Sequence, residues 1–533
     1  MRFALACLAV SATVIAAAWA WLGAPIAMPN APLKPGEKLY CVSYAPYRAG
    51  QTPFDVTTQI PAAQIDEDLT ALAKVTDCVR IYAVDQGLDR VVPLAAKHGL
   101  KVLMGVWLSK DHPEKTKLQV DTAVKLAHDY PQTIRAVVVG NEILLRGEMS
   151  GDDLAKAMRA VKARVAQPVT YADVWEFWLR HPEVAAAADF ITIHILPYWE
   201  DFPVAARDAA DHVAAIRAKV AAAYPGKEIL IGEMGWPSQG RMREGALPSP
   251  ANQARVIQDV LARAARDHFH VNVIEAFDQP WKRALEGTVG GYWGLFDADA
   301  RQPKFVWGQP VSNHPLWCWQ AAGGIAFALL IFAAAFAARR KEPAPPVVWL
   351  AVTVNAIAGG ILIGWAVANV PIESFELGGL LRNVGLAAVA ALSPPALSAA
   401  LMRGTPLPRL SHILSPGKDA PADRLTALIG WVLIVTLLLA VQSALGLVFD
   451  PRYKDFPFAP LTAAVLPFLV HSAAMPRAGG RAGVAEVGGA GLLALSALYI
   501  VPNEGLMNWQ SLWLSAAFAA LAITLVRVRG VQS

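Results

Sequence analysis

Two patterns of hydrophobic and polar positions divide the chain. Between about residues 36 and 310, short apolar runs rich in β-branched residues alternate with stretches in which apolar residues have helical spacing. From about residue 316 onward, long apolar runs follow one another with few charges between them. The first pattern is typical of a water-soluble domain of alternating strands and helices, and the second of membrane-spanning helices.

Short apolar runs in the first region predict strands at residues 39–45, 78–82, 101–107, 134–140, 168–174, 189–195, 227–233 and 271–277. Helical spacing recurs between them, at 62–74, 120–129, 152–165, 204–223 and 252–266. Strands that read as near-continuous apolar runs are typical of parallel sheets covered on both faces. Eight such strands alternating with helices predict an α/β fold, a (β/α)8 TIM barrel. A doubly wound open sheet is the alternative, although no Gly-x-Gly-x-x-Gly follows the first strand.

The second region predicts a multi-span α-helical membrane domain. Its apolar spans lie near residues 316–338, 347–370, 384–402, 426–449, 460–475, 484–501 and 509–526. Residues 1–23 are a further span, an N-terminal transmembrane anchor or signal-like helix. We expect an anchor that is not cleaved, with cleavage after it as the alternative. Within the span at 384–402, Ser393-Pro394-Pro395 predicts a kink or a break.

Basic residues fall on alternate loops between these spans. One set of loops holds Arg339, Arg340, Lys341, Arg403, Arg409, Lys418, Arg424, Arg477, Arg481, Arg527 and Arg529. The other set, at residues 371–383, 450–459 and 502–508, has no such excess. Because loops rich in lysine and arginine stay in the cytoplasm, the domain at residues 36–310 is expected on the opposite side, outside the cytoplasm.

Composition supports a membrane protein, since 55% of the residues are apolar and only 17% are charged, against roughly 25% charged in soluble domains. The net charge is +4 and the basic residues cluster beside apolar spans, which argues against nucleic acid as a partner. Cys41 and Cys78 lie in neighbouring predicted strands. A disulfide is one interpretation, but we expect two buried free thiols. The cysteine and histidine spacings predict no metal site, and we expect no cofactor.

Polar and aromatic side chains follow the predicted strands. In a (β/α)8 barrel the reacting groups come from the C-terminal ends of the strands. Here these positions hold Tyr44, Tyr47, Tyr82, Trp107, Asn141, Glu142, Asp173, Trp175, His194, Tyr198, Glu233, Trp236, Glu275 and Asp278. Aromatic faces stack on sugar rings, and carboxylates and amides bind hydroxyl groups, so the pattern predicts a carbohydrate site. We interpret His194 as a hydrogen-bonded strand-end histidine rather than a proton carrier.

Glu142 and Glu233 end the fourth and seventh predicted strands. Carboxylates on strands three apart in an eight-stranded ring face each other across its mouth. At about 5 Å apart they would form the pair of a retaining glycosidase, in which one attacks the anomeric carbon and the other protonates the leaving oxygen. We expect the neighbouring carboxylate to raise the pKa of the acid. Glu148, six residues after Glu142, is expected to be a solvated rim carboxylate.

Three motifs resemble those of glycoside hydrolase family 17, the β-1,3-glucanase and glucanosyltransferase family. They are VVVGNE, ILIGEMGWPS and VIEAFDQPWK, in this order within about residues 38–310, and VRIY at the second strand is similar to the arginine-aromatic strand of the family. The resemblance implies that Glu142 is the acid/base and Glu233 the nucleophile. It also implies substrate-binding or supporting roles for Tyr82, Asn141, Tyr198, Trp236, Glu275, Trp281 and Lys282. Tyr44, Asp278 and Trp293 complete the predicted substrate-binding set. The alternatives are loop packing for Tyr198, a place in the barrel-rim core for Trp236 and Trp293, and an ion pair between Glu275 and Lys282.

The layout of the chain resembles membrane-bound bacterial proteins described as β-(1,6)-glucan synthases. It consists of an anchor at 1–23, a catalytic domain at 36–310 and a membrane domain at 316–533. The resemblance implies a bacterial inner-membrane protein whose barrel faces the periplasm. Its partners would be β-glucan, membrane lipid and a separate glucan synthase. It favours a glucanosyltransferase, with a tethered endo-β-1,3-glucanase or a non-catalytic glucan-binding or export component as alternatives.

Overall fold

The computed structural model describes residues 2–340, 343–414, 423–475 and 482–528. The chain divides into two compact units. The barrel unit consists of Ile26–Gln239 and Gly245–Val311, and the helical unit of Met1–Pro25, Gly240–Glu244 and Ser312–Ser533. Five of the basic residues used to predict the membrane topology lie outside the described residues, namely Lys341, Lys418, Arg477, Arg481 and Arg529.

Eight parallel strands form a closed barrel in sequence order. They are β1 (Cys41–Ser43), β2 (Cys78–Ile81), β3 (Lys101–Val106), β4 (Ile134–Asn141), β5 (Val169–Val174), β6 (Ile191–His194), β7 (Ile229–Met234) and β8 (Val271–Val273). The ring closes where Cys41 and Val42 pair with Asn272 and Val273. The predicted TIM barrel is therefore confirmed, and the open-sheet alternative is wrong.

Helices follow every strand of the barrel. They are Ala62–Leu72, Val91–Lys97, Pro113–Asp129, Gly151–Lys162, Trp175–Arg180, Pro182–Ala187, Ala209–Ala223, Pro250–Asp267 and Arg283–Gly290, with short 3₁₀ turns at Leu88–Arg90, Ala206–Asp208 and Pro280–Lys282. Two of these helices have a serine N-cap. The Ser150 hydroxyl accepts from the Asp153 N–H, and the Ser249 hydroxyl accepts from the Asn252 N–H at 3.1 Å.

The core of the barrel unit is built from strand residues that are buried on both faces. In β3, for example, every residue from Val102 to Val106 is buried, and only Lys101 at the start of the strand is exposed. Alternate side chains fill the inside of the barrel and the space under the helices. Full burial of each such valine, leucine or isoleucine contributes about 1.5–3 kcal/mol, which explains why the strands read as continuous apolar runs.

A disulfide joins Cys41 and Cys78 at the starts of β1 and β2. The register pairs Val42 with Val79, which puts the two cysteines opposite each other with Cα atoms 4.3 Å apart. The expectation of two free thiols is therefore wrong. Burial and strand propensity are the same for a thiol and a disulfide, and only the register brings the two sulfur atoms within bonding reach.

The helical unit contains eight apolar helices within the described residues. They are Arg2–Leu22, Trp317–Ala338, Pro346–Glu373, Glu376–Arg403, Arg424–Phe449, Phe458–Ala474, Val484–Glu504 and Trp509–Arg527, and a short helix lies at Leu410–Leu414. Seven of them are long and apolar enough to cross a membrane, and Phe458–Ala474 is shorter. Glu376–Arg403 continues through Pro394 and Pro395 as one helix, so the predicted break is absent.

Candidate active site

Glu142 and Glu233 meet at the mouth of the barrel. Glu142 directly follows β4 and Glu233 lies in β7. The Nδ1 atom of His194 is 2.9 Å from a Glu142 oxygen, and its Nε2 atom is 3.6 Å from a Glu233 oxygen. One oxygen from each glutamate and one ring nitrogen of His194 all lie within 4.8 Å of one another. The two carboxylates are thus close together with a histidine between them.

The backbone around Glu142 makes an abrupt turn at the end of β4. Gly140 has φ +82°, and a Cβ atom there would meet the Ile143 side chain at 2.4 Å. Glu142 itself has φ +50°, a left-handed conformation that costs a non-glycine residue roughly 1–2 kcal/mol. Its N–H donates to the Ala172 carbonyl at 2.8 Å, which ties the turn to β5. Contacts with the surrounding structure must offset the strain of this turn.

A buried donor, Arg80, and a half-buried donor, Tyr82, fix the Glu233 carboxylate. The Arg80 guanidinium donates to Oε1 at 3.1 Å, and the Tyr82 hydroxyl donates to the same oxygen at 2.8 Å. Burial, followed by the negative charge of Glu233, raises the pKa of Tyr82 well above its usual value, so its hydroxyl remains a donor. A carboxylate held by a guanidinium and a phenol has one orientation and is ready to act as a nucleophile.

Arg80 connects the strands around this carboxylate. Its second amino group donates to Asn141 Oδ1 at 2.6 Å, and its first donates to the Gly232 carbonyl at 2.7 Å. The first amino group also lies 3.3 Å from His194 Nε2. A guanidinium cannot accept a hydrogen bond, so this contact fits a neutral ring that carries its proton on Nδ1 and donates it to Glu142. The two glutamates and His194 are also spaced closely enough to hold a metal ion. In this structure, the positive charge that contacts Glu233 is the guanidinium of Arg80.

The pKa of Glu142 is shifted downward. Burial alone would raise it, but the hydrogen bond from His194 and the charges of Arg146 and Arg80 together lower the pKa below its usual value. The expectation of a raised pKa is therefore wrong for the free site. The groups that act on this carboxyl are donors and cations, and the sequence spacing of the two glutamates does not reveal them.

A second charged cluster lies beyond the pair. Both oxygens of Glu275 are 3.0 Å from Lys282 Nζ, and burial raises the pKa of Glu275 to about 7 against the opposing effect of Lys282. Burial likewise raises the pKa of Glu286. The charge of Lys282 opposes this rise, and the charges of Glu142 and Glu233 add to it. Sequence reasoning missed Glu286 because it lies in a helix rather than at a strand end. Its spacing of four residues from Lys282 is the signal that could have found it.

The aromatic residues predicted to bind substrate fall into two groups. Tyr198, Trp236 and Trp293 are buried, and the Tyr198 ring centroid lies 6.1 Å from the ring centroid of each of the other two. Trp281 is partly exposed, and its ring is roughly perpendicular to that of Phe54, with the two centroids 5.5 Å apart. The three buried rings therefore pack within the barrel unit, as in the alternative interpretation. Trp281, in contrast, has solvent-exposed surface.

Two other predicted residues are engaged within the fold. The buried Tyr44 hydroxyl donates to Asp68 at 3.0 Å. Asp278 accepts from Lys304 at 2.6 Å and from the Gly294 N–H at 2.8 Å. These contacts give both side chains structural partners.

The rim beside Glu142 carries an ion pair. Arg146 donates to Glu148 at 2.7 Å, and its guanidinium carbon lies 4.9 Å from the centroid of the Trp107 ring. Glu148 is thus a partly exposed rim carboxylate that contacts Arg146 instead of the site. Its partner Arg146 is one of the positive charges that lower the pKa of Glu142.

Comparisons with known proteins find relatives of the barrel unit. Residues 41–294 match the family profile of the BtgE/BtgC glycoside hydrolase domain. A glucan 1,3-beta-glucosidase from Arthroderma benhamiae is 28% identical over 289 residues, which span 49% of this chain and 91% of the relative. A probable family 17 glucosidase from Saccharomyces cerevisiae is 26% identical over 266 residues, or 48% of this chain and 64% of the relative. The crystal structure of a glycoside hydrolase family 17 beta-1,3-glucanosyltransferase from Rhizomucor miehei is 24% identical with a TM-score of 0.45, over 50% of this chain and 97% of that one. Residues 41–294 of this chain are a glycoside hydrolase domain of family 17.

Proposed function

We propose that this chain is a retaining β-glucan-active enzyme in which Glu233 is the nucleophile and Glu142 the acid/base. One observation carries the proposal: an oxygen of Glu142 lies within 4.8 Å of an oxygen of Glu233. Retaining enzymes separate their carboxyl groups by about 5–5.5 Å, whereas inverting enzymes leave roughly 6.5–9.5 Å for a water molecule. The spacing in this site favours direct attack by a carboxylate.

The reaction has two steps. In the first, the Glu233 carboxylate attacks the anomeric carbon while the bond to the leaving oxygen breaks and Glu142 gives that oxygen its proton. In the second, an incoming hydroxyl attacks the glucosyl-enzyme, Glu142 takes its proton and the Glu233 ester bond breaks. Arg80 and Tyr82 hold the nucleophile throughout, and His194 donates to Glu142 whenever this carboxylate is ionised.

The substrate that we propose is a β-1,3-glucan. The relatives named glucan 1,3-beta-glucosidase support this class. Aromatic surface is available for sugar rings, since Phe54 is 64% exposed, Trp107 is 37% exposed and Trp281 is partly exposed. Glu275 and Lys282, close to the pair, can bind hydroxyl groups of the glucan.

Transfer to a sugar hydroxyl, rather than to water, is the outcome that we propose. Hydrolysis and transfer share the same glucosyl-enzyme, so the acceptor decides between them. A synthase that uses a sugar nucleotide needs a catalytic domain in the cytoplasm. The longest loop that we predict on that side, Arg403 to Arg424, is too short for a domain. The barrel would then elongate, branch through β-1,6 bonds, or cyclise a glucan made by a separate synthase.

The location that we propose is a bacterial inner membrane, with the barrel in the periplasm and the apolar helices in contact with lipid. The loop charges and the seven long apolar helices support membrane insertion. The Cys41–Cys78 disulfide supports an oxidising compartment for the barrel. Alkylation of the protein in intact cells, followed by peptide mass spectrometry, should find Cys41 and Cys78 cross-linked, and two alkylated thiols would contradict this location.

The test of the function uses the full chain, purified in detergent, and laminari-oligosaccharides of one defined length. Products longer than the donor are expected, and linkage analysis of these products identifies the bond formed. Shorter products alone would identify the tethered endo-β-1,3-glucanase. Glu142→Gln and Glu233→Gln should each abolish product formation.

A matched control for these variants is Glu228→Gln. Glu228 is an exposed carboxylate directly before β7 that contacts His270 at 3.1 Å, at the opposite end of the strand from the mouth. This variant should keep full activity. If Glu142→Gln and Glu233→Gln also kept it, the two glutamates would not be the catalytic pair. A parent chain that binds the oligosaccharides without forming any product would be the non-catalytic glucan-binding component.

A further inference from the structure

Two side chains of β5 hold the turn that follows Glu142. The Leu144 N–H donates to the Tyr171 hydroxyl oxygen at 2.9 Å, and the Leu145 N–H donates to Asp173 Oδ2 at 3.3 Å. Tyr171 is 1% exposed and Asp173 is fully buried. The backbone of the turn is therefore bonded to side chains from the neighbouring strand.

The two side chains form one chain of hydrogen bonds. The Tyr171 hydroxyl accepts from Leu144 and donates to Asp173 Oδ2. The other oxygen of Asp173 accepts from the Val174 N–H at 2.7 Å. Asp173 is thus an acceptor for three donors, a task that an ionised carboxylate performs and an amide of the same shape does not.

These hydrogen bonds hold the strained backbone at Glu142. Glu142 has a left-handed backbone without being glycine, and such conformations persist where the surroundings hold them. The Ala172 carbonyl, between the two side chains, accepts the Glu142 N–H at 2.8 Å. Three consecutive residues of β5 therefore bind the N–H groups of residues 142, 144 and 145.

We propose that Tyr171 and Asp173 are positioning residues for the acid/base step, which fix the turn so that the Glu142 carboxyl reaches the glycosidic oxygen. This inference rests on the proposed role of Glu142. Neither side chain touches the reacting atoms, and both act through the backbone that carries Glu142. A misplacement of about 1 Å in such a group lowers a rate by roughly a hundredfold.

The charges around Asp173 agree with this role. Tyr171 faces it from its own strand, His194 from β6 and Glu142 from the turn after β4. Burial raises the pKa of Asp173 to about 6, against the lowering effects of Tyr171, His194 and the Val174 N–H. Burying a carboxylate here costs more free energy than burying a neutral side chain. The turn nevertheless needs an acceptor for three donors, which accounts for the carboxylate.

The test compares two substrates in the Asp173→Asn variant of the full chain. Asparagine has the same shape, but its NH₂ group must face either Leu145 and Tyr171 or Val174, and one N–H loses its acceptor. With laminari-oligosaccharides, kcat/KM should fall about tenfold or more. With 2,4-dinitrophenyl β-laminaribioside it should stay within about threefold, because dinitrophenolate leaves without a proton from Glu142. Tyr171→Phe should show the same pattern more weakly.

Thr170→Val is the matched control on the same strand. Thr170 is fully buried and its hydroxyl donates to the Phe190 carbonyl at 2.8 Å, away from the turn. This variant removes a buried hydroxyl at constant shape and should leave both rates unchanged.

An equal fall with both substrates in Asp173→Asn, or no fall with either, would overturn the positioning role. If Asp173→Asn does not fold, as judged by thermal unfolding, Tyr171→Phe decides by the same criterion. The proposed function has a separate readout. Glu142→Ala should give the strongest preference for the activated substrate, and Glu233→Ala should lose both activities. Retained activity in these two variants would reject the function itself.

Discussion

The barrel unit and the helical unit bury polar groups in different ways. In the barrel, charged side chains meet in networks at the C-terminal ends of the strands, as Arg80 does with Glu233 and Asn141. In the helical unit, Asn355 has a neutral partner, Ser398, at 3.1 Å, and a buried ion pair joins Arg241 to Glu504. Burying a charge is expensive unless several partners compensate it. Glu233 can therefore stay buried because Arg80 and Tyr82 compensate its charge.

Removing the carboxylate of Glu233, the proposed nucleophile, should have the largest effect. Glu233→Gln keeps the shape and the contacts with Arg80 but removes the attacking carboxylate, so kcat with laminari-oligosaccharides should fall by about 10⁴-fold or more. The matched change in the helical unit is Asn355→Leu, which removes a buried polar group without touching the site and should leave kcat unchanged. A large loss in Asn355→Leu would contradict the distinction between the two units.

Arg80 should be next in size. Arg80→Lys keeps the charge, but lysine cannot reproduce the fork that binds Glu233, Asn141 and the Gly232 carbonyl. We expect kcat/KM to fall by about 10²–10³-fold, since the Glu233 carboxylate loses its fixed orientation. Initial rates over a range of laminari-oligosaccharide concentrations measure this loss. An Arg80→Lys enzyme within threefold of the parent would show that the network is structural only.

The disulfide should affect stability without affecting chemistry. Its sequence separation is 37 residues, and loss of such a cross-link costs about 2–4 kcal/mol in the free energy of unfolding. The double variant Cys41→Ala, Cys78→Ala should therefore unfold at a lower temperature while kcat stays the same. The matched variant Cys7→Ala in the helical unit removes a free thiol and should leave the unfolding temperature of the barrel unchanged.

The pH dependence should be the most gradual effect. Glu142 must carry a proton to act as an acid, and its pKa is lowered by His194, Arg146 and Arg80 against the effect of burial. The protonated fraction of Glu142, and with it kcat/KM for oligosaccharides, should therefore decline tenfold per pH unit above about pH 6, where Asp173 is ionised as well. The dinitrophenyl substrate, which needs no proton, should lack this decline. A rate that rises from pH 5 to pH 8 with oligosaccharides would contradict the role of Glu142.

The ionisation of Asp173 should make the free energy of unfolding depend on pH. Its pKa is about 6 in the folded barrel and about 3.9 in an unfolded chain. The folded state therefore holds more protons between these values, and the free energy of unfolding should decrease as the pH rises from about 4 to about 6. In Asp173→Asn this contribution should disappear, which denaturation curves at several pH values would measure.

Much of the fold was predictable because its determinants are local. The eight apolar runs became eight strands, and the apolar spans became helices with bounds that differ by only a few residues for most of them. The positions of Glu142 and Glu233 at two strand ends followed from the barrel, because strand order in a ring determines which ends face each other. Strand-end position could not separate Tyr198 and Trp236, which are buried, from Trp281, which is partly exposed.

By itself, the sequence determined the strands, the membrane-type helices and the glutamates at the strand ends, since hydrophobic periodicity and chain order specify them. Only the tertiary structure decided the Cys41–Cys78 bond, the position of His194 between the carboxylates and the downward pKa shift of Glu142. These properties depend on distances of a few ångströms between residues far apart in the chain. Electrostatic and covalent contacts respond to such distances, and periodicity does not report them.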